Sequence, residues 1–430
     1  MGGATKWWVS QSLRSLKEEL DRLGSALVIR SGDPRTELCE VAREVVADCV
    51  MFCESIEPDL QLRENEVEDA LWKHDLDVQR FPMQLLWDVG SVLTKEAKPY
   101  QVFTPFWKSA LKAGEPNHPI DAPSKLSPPN KQAASLGVED LGLQPEIEWH
   151  TQMENRWTPG ERGARERFDS FYTDRLDSYH EDRNRLDIPG WSAMSAHIHF
   201  GEISARRMWH TITQDERWEQ VQGKEQYLRE IGWREFAQHL INHFPRTIDE
   251  PLREQFKLFP WADDPDGLGK WKRGQTGYPV VDAAMRQLWA EGWMPNRARM
   301  IVASFLCKDL RINWEAGMAW FWDTLVDADL GSNTLGWQWT AGCGADAAPY
   351  FRVFNPVTQG QKFDPDGAYV RRWCPELAKL DKRSIHAPWE ASPIELAAAG
   401  VTLGEDYPLP IVDHKEARLA ALSALDQIKN

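Results

Sequence analysis

In the first 112 residues, short apolar runs alternate with amphipathic helical stretches, and this alternation is the strongest constraint on the fold. Helices that alternate with short buried strands are typical of a parallel α/β sheet. The sequence therefore predicts an α/β domain at residues 1–112. Helical and strand-like runs follow one another in this order: helix 6–23, strand 26–30, helix 37–46, strand 48–53, helix 65–74 and strand 78–81.

The rest of the chain has a different pattern. Residues 113–160 are rich in Pro, Gly, Ser and Asn, which predicts a long surface linker. From about residue 161 onward, apolar residues recur at helical spacing and strand-like runs nearly vanish. We therefore expect an all-α domain at residues 161–430.

The composition limits the protein classes that fit. The chain is 42% hydrophobic and 27% charged, which is typical of a soluble globular protein. No apolar run approaches the roughly 18–20 residues that span a bilayer, and the start lacks the apolar segment of a signal peptide. The six cysteines form no CxxC pair, so disulfides, zinc and iron–sulfur clusters are not expected. We expect a cytoplasmic monomer.

Charge is unevenly distributed. The net charge of -16 argues against indiscriminate nucleic-acid binding. Residues 270–314, however, carry more basic than acidic side chains, and a locally basic face can hold phosphates. Ordinary solvated helix charges explain the same stretch equally well. Its basic residues are Lys270, Lys272, Arg273, Arg286, Arg297, Arg299, Lys308 and Arg311.

Tryptophan is unusually abundant, with 22 residues in 430. The run Gly336–Trp339 contains two of them and follows Asp327, Asp329 and Asn333. An indole ring can stack on a planar ligand, and it can be oxidised by one electron. Two tryptophans beside carboxylates and an amide therefore suggest a planar cofactor that faces a planar substrate.

A second cluster lies on a predicted helix. Tyr227, Glu230 and Arg234 share one face, with Trp233 at its edge. Such a carboxylate could bind the edge of a base while the ring stacks on it, although a salt-bridged helix with a core tryptophan fits the same spacing.

An HxH pair, His197 and His199, has no suitable third ligand nearby in the sequence. We therefore expect a structural or phosphate-adjacent role for it and no metal site.

Taken in order, these segments resemble the DNA photolyase/cryptochrome family, and most closely its bacterial class I-like cyclobutane pyrimidine dimer photolyases. The resemblance runs from about Trp191 to Trp389 and covers Trp7–Trp107 more weakly. It is carried by Gly274–Met300, Trp314, Asp327–Asn333, Trp337, Trp339, Pro349–Pro356 and, near the start, Lys98–Trp107. It implies a truncated Rossmann-like α/β domain followed by an all-α FAD-binding domain.

The resemblance also implies a light-driven repair reaction on damaged DNA. Excited reduced FAD would give an electron to a flipped-out cyclobutane dimer, which splits and returns it. Ser192 and Ser195 would bind the pyrophosphate, Arg299 and Asp327 would form an ion pair against the flavin, and Asn333 would face flavin N5. The implied FAD-binding residues are Tyr179, Ser192, Ser195, Tyr227, Arg234, Trp293, Arg299, Asp327, Asp329 and Asn333.

Further residues match electron-transfer and substrate positions of the family. Trp337, Trp314 and Trp261 match an electron path from the flavin to the surface, although each could be a structural tryptophan. Together with Glu230 and Asn333 they form the implied catalytic set. Branches that act on (6-4) photoproducts carry histidines where this chain has Asn296 and Met300, which favours cyclobutane dimers. The implied dimer contacts are Glu230, Trp233, Asn296, Met300 and Trp339, and the implied phosphate contacts are Lys272, Arg273, Arg297 and Arg352.

The sequence departs from the family pattern at Trp191, Ala193, Ala196 and Pro295, and also at its start. Its opening Gly-Gly-Ala-x-x-Trp-Trp follows roughly two βα units in relatives. Either an initial segment is absent from this sequence or the α/β domain is shortened. We therefore expect weak or no binding of a second, antenna chromophore (a folate or a deazaflavin).

Two other functions remain open. A cryptochrome-like blue-light photoreceptor would share the fold and the flavin but would signal to a protein partner. A flavin-free DNA-binding or scaffold protein would lack flavin absorbance altogether.

Overall fold

A two-stranded parallel sheet and four helices form the N-terminal part of the protein. The computed structural model describes residues 1–83, 85–128, 131–145, 147–347 and 351–429. Strands β1 and β2 pair in parallel, with Cys49 opposite Asp77 and Cys53 opposite Phe81. The elements in chain order are α1 (Gly3–Leu23), α2 (Pro34–Val45), β1 (Cys49–Cys53), α3 (Pro58–Lys73), β2 (Asp77–Phe81) and α4 (Phe103–Lys112).

Local sequence signals account for these helix ends. Gly24 closes α1 in the left-handed conformation that favours glycine, with φ of 89°. Asp33 caps α2 by accepting a hydrogen bond from the Arg35 amide, and Pro34 occupies the first turn. The buried side chains of Cys39, Val67 and Leu71 join α2 and α3 in a small core.

The strand predicted at residues 26–30 is wrong. In this segment the Ile29 amide donates to the Ser135 hydroxyl oxygen, and the Leu136 amide donates to the Ile29 carbonyl. These backbone groups are therefore satisfied by the chain near residue 135 instead of by β1. An apolar run indicates burial, but it does not determine which partner satisfies the backbone.

Helices make up nearly all of the regular secondary structure described after residue 150. A π-helical turn, Phe305–Asp309, continues α13. The helices are α5 (Thr151–Arg156), α6 (Glu161–Asp174), α7 (Tyr179–Asp182), α8 (Ser195–His199), α9 (Ala205–Thr213), α10 (Lys224–His243), α11 (Pro265–Arg273), α12 (Pro279–Glu291), α13 (Asn296–Ser304), α14 (Trp314–Thr324), α15 (Leu330–Ala341), α16 (Pro356–Phe363), α17 (Ala368–Trp373), α18 (Pro393–Ala399) and α19 (His414–Gln427).

Helix α12 lies at the centre of the largest hydrophobic core. It packs against α11, α13, α16 and α17, and most of its residues are buried. A neighbouring arrangement places α15 against α10, α13 and α14. Helices α10, α13, α14 and α15 carry many of the side chains discussed below. The predicted fold class, an α/β domain plus an all-α domain, is confirmed.

The second half of the predicted linker is not a plain surface segment. Residues 151–156 form α5, which packs against α12. Met153 and Trp157 are buried, and the Trp157 indole N–H donates to the Glu291 carbonyl at 2.8 Å. Composition alone did not reveal this packing, because two buried side chains suffice to hold a largely polar segment.

Helix α1 is also held by the helical domain. Trp7 and Trp8 are buried, and the Trp8 indole N–H donates to Glu202 Oε1 at 2.9 Å. Glu202 also binds the buried His197 ring, which packs edge-on against Trp8.

In the part of the chain that the structure describes, no helix is both long and apolar enough to cross a membrane.

Candidate functional site

The turn between α14 and α15 positions two carboxylates. Asp329 caps α15 by accepting from the Ser332 amide at 2.7 Å, and it also accepts from Gln238 Nε2 at 2.9 Å. Burial alone would raise the pKa of Asp329. The hydrogen bond and charge of His199, together with the charge of Arg234, instead hold the pKa well below its usual range. Asp329 is thus a carboxylate at the start of α15 whose charged form its neighbours stabilise.

Asp327 has a different environment. One carboxylate oxygen, Oδ2, accepts from Arg299 Nη2 at 2.8 Å, and Arg299 also donates to the Met294 carbonyl. The second oxygen, Oδ1, is buried without a hydrogen-bond partner in the described residues. The sequence-based pairing of Arg299 with Asp327 is present, and it leaves one acceptor free.

Helix α15 places an amide and an indole one turn apart on a buried face. Asn333 donates from Nδ2 to the Met318 carbonyl at 3.1 Å. Trp337 is 2% exposed and packs edge-on against Phe321, with ring centroids 4.9 Å apart, and against Trp271. Residues four apart on a helix share a face, so Asn333 and Trp337 lie on the same side of α15.

Aromatic and hydroxyl side chains cluster around α7 and α8. The Tyr179 and Tyr227 rings pack edge-to-face with centroids 5.1 Å apart, and burial raises the pKa of both phenols. Ser192 lies close enough to the Tyr227 phenol to offset part of that rise in the pKa of Tyr227. Ser195, at the start of α8, accepts from the Trp293 indole N–H at 3.4 Å. The hydroxyls of Ser192 and Ser195 thus both lie beside aromatic side chains.

Several buried polar atoms here have no hydrogen-bond partner among the residues that the structure describes. They include Arg234 Nη1 on α10, Asp327 Oδ1 before α15 and Trp337 Nε1 on α15. Leaving a buried donor or acceptor unpaired costs about 1–3 kcal/mol. A ligand with both donors and acceptors would supply the missing partners, so these residues fit a polar, aromatic cofactor such as FAD.

The three tryptophans predicted to form an electron path differ in burial. Trp337 and Trp314 are both 2% exposed and belong to the same core. Trp261 is half-buried against that core, with its ring centroid 4.4 Å from Phe259. This gradient from buried to partly exposed is compatible with a path that ends at the surface.

Glu230 is paired with a residue that was not predicted. Its carboxylate forms an ion pair with Arg183 and also accepts from Gln226 Nε2 at 2.8 Å. Arg297 donates to Asn184 Oδ1 at 2.9 Å and lies over the Phe363 ring. Burial, with added repulsion from Arg183 and Arg352, lowers the pKa of Arg297 to about 10.

Arg183 and Arg352 therefore each lie close enough to Arg297 for their positive charges to lower its pKa. Clustered guanidinium groups favour an anion between them, because an anion relieves their mutual repulsion. We call this group the arginine cluster.

The proposed dimer contacts lie at partly exposed positions. Trp233 and Trp339 are both half-buried, and Trp233 stacks face-on against Phe103 with centroids 3.8 Å apart. Asn296 is exposed and points its amide nitrogen at Met300 Sδ, 4.0 Å away. Exposed amide and half-buried aromatic side chains remain free to contact a substrate.

Lys272 and Arg273 contact a different set of residues, at the end of α11. The Lys272 ammonium lies 4.9 Å from the Trp320 ring centroid, and Arg273 donates to Gln275. No described contact joins either residue to the arginine cluster. Their predicted role as phosphate contacts beside the dimer site stays untested.

Sequence reasoning missed Arg183, Asn184, Trp271 and Phe321. Arg183 and Asn184 follow the predicted cofactor residue Tyr179 by only four and five positions, which was an available signal. Trp271 and Phe321 pack directly on Trp337, but no spacing rule connects α11 and α14 to α15 before the fold is known.

Comparison with known proteins decides the family. A family model described as the FAD binding domain of DNA photolyase matches residues 227–427, and a DNA photolyase model matches residues 1–124. A deoxyribodipyrimidine photo-lyase of Agrobacterium fabrum is 44% identical over 430 residues, which is 100% of this chain and 90% of that protein. The chain belongs to the DNA photolyase/cryptochrome family. Its cofactor is therefore FAD.

The crystal structure of a bacterial class III photolyase from Agrobacterium tumefaciens superposes with a TM-score of 0.96 at 43% identity, covering 100% of this chain and 89% of that one. Cryptochrome-1 of Arabidopsis thaliana is 36% identical over 99% of this chain and 64% of its own length. The predicted family and cofactor are confirmed. The solved photolyase is named class III, whereas the sequence resemblance predicted a class I-like photolyase.

Proposed function

We propose that this protein is a deoxyribodipyrimidine photo-lyase that repairs cyclobutane pyrimidine dimers in DNA under blue light. The proposal rests on the difference in burial between side chains along α15. Asn333 and Trp337 are buried on one face, while Trp339 is half-buried two positions further on. One helix therefore serves both a buried cofactor pocket and an accessible substrate pocket.

FAD, when bound, supplies the light-driven electron donation. The residues proposed to hold it are those with unpaired buried polar atoms and their neighbours, namely Arg234, Asp327 and Asp329 with the hydroxyls of Ser192 and Ser195. Asn333 carries an amide, which does not ionise near neutral pH, so its side chain offers a hydrogen bond without exchanging a proton with the cofactor.

On the substrate side, the chain's own residues bind and orient the lesion. Stacking of a base on an aromatic side chain contributes about 1–3 kcal/mol, which offsets the few kcal/mol that flipping a damaged base costs. Trp233 and Trp339 supply such surfaces. Glu230 offers acceptor oxygens to the base edge, and the arginine cluster faces the phosphates on either side.

The proposal is tested by repair of thymine dimers in ultraviolet-irradiated oligothymidine, using reduced, FAD-loaded protein under blue light. We expect dimers to disappear only in the light. Trp337→Phe should slow photoreduction of oxidised protein yet spare repair by pre-reduced protein, whereas Trp339→Ala should weaken dimer binding. If the two variants gave the same defect, the division of roles along α15 would be wrong.

The matching cryptochromes support a second candidate, a photoreceptor without repair activity. If the FAD-loaded, reduced protein repaired no dimers at any DNA concentration, the photolyase proposal would be wrong and the photoreceptor function would be favoured. A light-induced spectral change would persist in either case, so repair itself must be measured.

A further inference from the structure

The backbone carbonyls of the segment after α4 accept hydrogen bonds from Trp87 and from His210 on α9. The Trp87 indole N–H donates to the Gly114 carbonyl at 3.0 Å. His210, on α9, points Nε2 at the carbonyl oxygens of Pro116, at 2.9 Å, and Asn117, at 3.2 Å. Gly114 is therefore held to Trp87, and Pro116 and Asn117 are held to α9.

These contacts determine the tautomer of His210. Carbonyl oxygens can only accept hydrogen bonds, so Nε2 must carry the hydrogen, and in the neutral ring Nδ1 then presents a lone pair. His210 is 4% exposed, and its Nδ1 accepts a hydrogen bond from Gln214 Nε2 at 3.3 Å and lies 3.6 Å from Glu115 Oε1. An ion bound at Nδ1 would replace the hydrogen bond from Gln214. Metal-ligating histidines typically donate their second ring N–H to a carbonyl or carboxylate, as His210 does here, which leaves the other nitrogen to face the ion.

A second histidine completes a set of three donors. The His118 ring stacks on His210 with centroids 3.9 Å apart and planes 17° apart. One donor atom from each of Glu115, His118 and His210 lies within 4.8 Å of the others. Donors around a tetrahedral zinc ion lie about 3.4 Å apart, as follows from bonds of about 2.1 Å.

Binding would require a small movement. Stacked rings direct their lone pairs side by side and not at one point, so the His118 ring must turn. His118 and Glu115 are both exposed, so they can move toward the fixed His210. The buried member of the set is already oriented, and the two movable members lie at the surface.

We propose that Glu115, His118 and His210 form a binding site for a divalent transition-metal ion of the zinc type. Two imidazoles and one carboxylate are donors that such ions favour, with water in the remaining position. The ion would link the segment after α4 to α9. This site shares no residue with the sets proposed to bind FAD and DNA, so its existence does not depend on the proposed repair activity.

The test is calorimetric titration of FAD-loaded, chelator-treated protein with zinc chloride, supported by the visible absorption of bound Co²⁺. We expect one ion per chain with micromolar affinity, and a loss of at least tenfold in His118→Ala and Glu115→Gln. Both substitutions are at exposed positions, so folding should not be affected. His74→Ala, which removes an exposed histidine from the end of α3, is the matched control and should bind as the unchanged protein does.

Absence of saturable binding would overturn the proposal. So would His118→Ala binding zinc as tightly as the unchanged protein, or His74→Ala losing the ion as well. In those cases the two histidines form only a stacked surface contact.

Discussion

Gly317 on α14 offers a direct test of how Trp337 is held. A Cβ atom added at Gly317 would lie 2.0 Å from Trp337 Cη2 and 2.4 Å from Cζ3. Trp337 is 2% exposed and is in contact with Phe321 and Trp271. The ring therefore has little room to retreat, and Gly317→Ala must displace either the indole or the helix.

The expected magnitude comes from two opposing effects. Replacing glycine by alanine inside a helix stabilises by about 1 kcal/mol. Overpacking a buried side chain destabilises by about 1–3 kcal/mol, and here the severe overlap places the cost toward the upper end. We expect Gly317→Ala to lower the free energy of unfolding by about 1–2 kcal/mol.

Gly336→Ala is the matched control. Gly336 lies on α15 beside Trp337, yet a Cβ there would meet no atom within 4 Å. This variant should gain up to about 1 kcal/mol. The measurements are urea unfolding and the rate of blue-light photoreduction of bound FAD. Gly317→Ala should be less stable and reduced more slowly, and Gly336→Ala should show neither defect. Equal stability and equal photoreduction rates in the two variants would refute the packing argument.

Two further predictions concern buried charged groups. Burial raises the pKa of Glu235 from 4.5 to about 7, so the folded protein binds the Glu235 proton more tightly than the unfolded chain does. The contribution of Glu235 to the free energy of unfolding therefore falls as the pH rises from about 4.5 to about 7. Glu235→Gln, which keeps an oxygen for the Leu86 amide, should flatten that pH dependence in urea unfolding, and an unchanged slope would contradict the assignment. Lys308, on the π-helical turn, donates to the Arg352 carbonyl at 2.7 Å and so fixes the backbone of a proposed phosphate contact. Lys308→Met should weaken DNA binding, measured by fluorescence anisotropy, roughly tenfold, since a charge-assisted hydrogen bond contributes about 1.5–3 kcal/mol. Unchanged affinity in folded protein would show that this bond does not position Arg352.

Parts of the fold and site followed from sequence because they depend on local chemistry. Asp329 was singled out from its motif, and its capping of α15 follows from short-range geometry. Asn333 and Trp337 share a helix face by spacing alone. Such relations need only helix periodicity, which a single sequence shows directly.

Other features depend on contacts between distant segments, and the sequence could not reveal them. The segment 26–30 has the pattern of a strand but pairs with the chain near residue 135. Arg183 reaches Glu230 across 47 positions, and His210 meets His118 across more than 90. Pairings of this kind arise only after the helices pack, because no local preference specifies them.

The attachment of α1 has a consequence for how the molecule could be divided. Its buried indoles, and the Gly3 amide that donates to Asp323 at 2.8 Å, hold it to the helical domain although it comes first in the chain. The exposed turn at Ser31–Gly32 follows soon after α1. A chain cut at that turn should keep α1 bound as a separate peptide. Packing therefore joins α1 to the helical domain, although α1 lies in the segment that the sequence predicts to form the α/β domain.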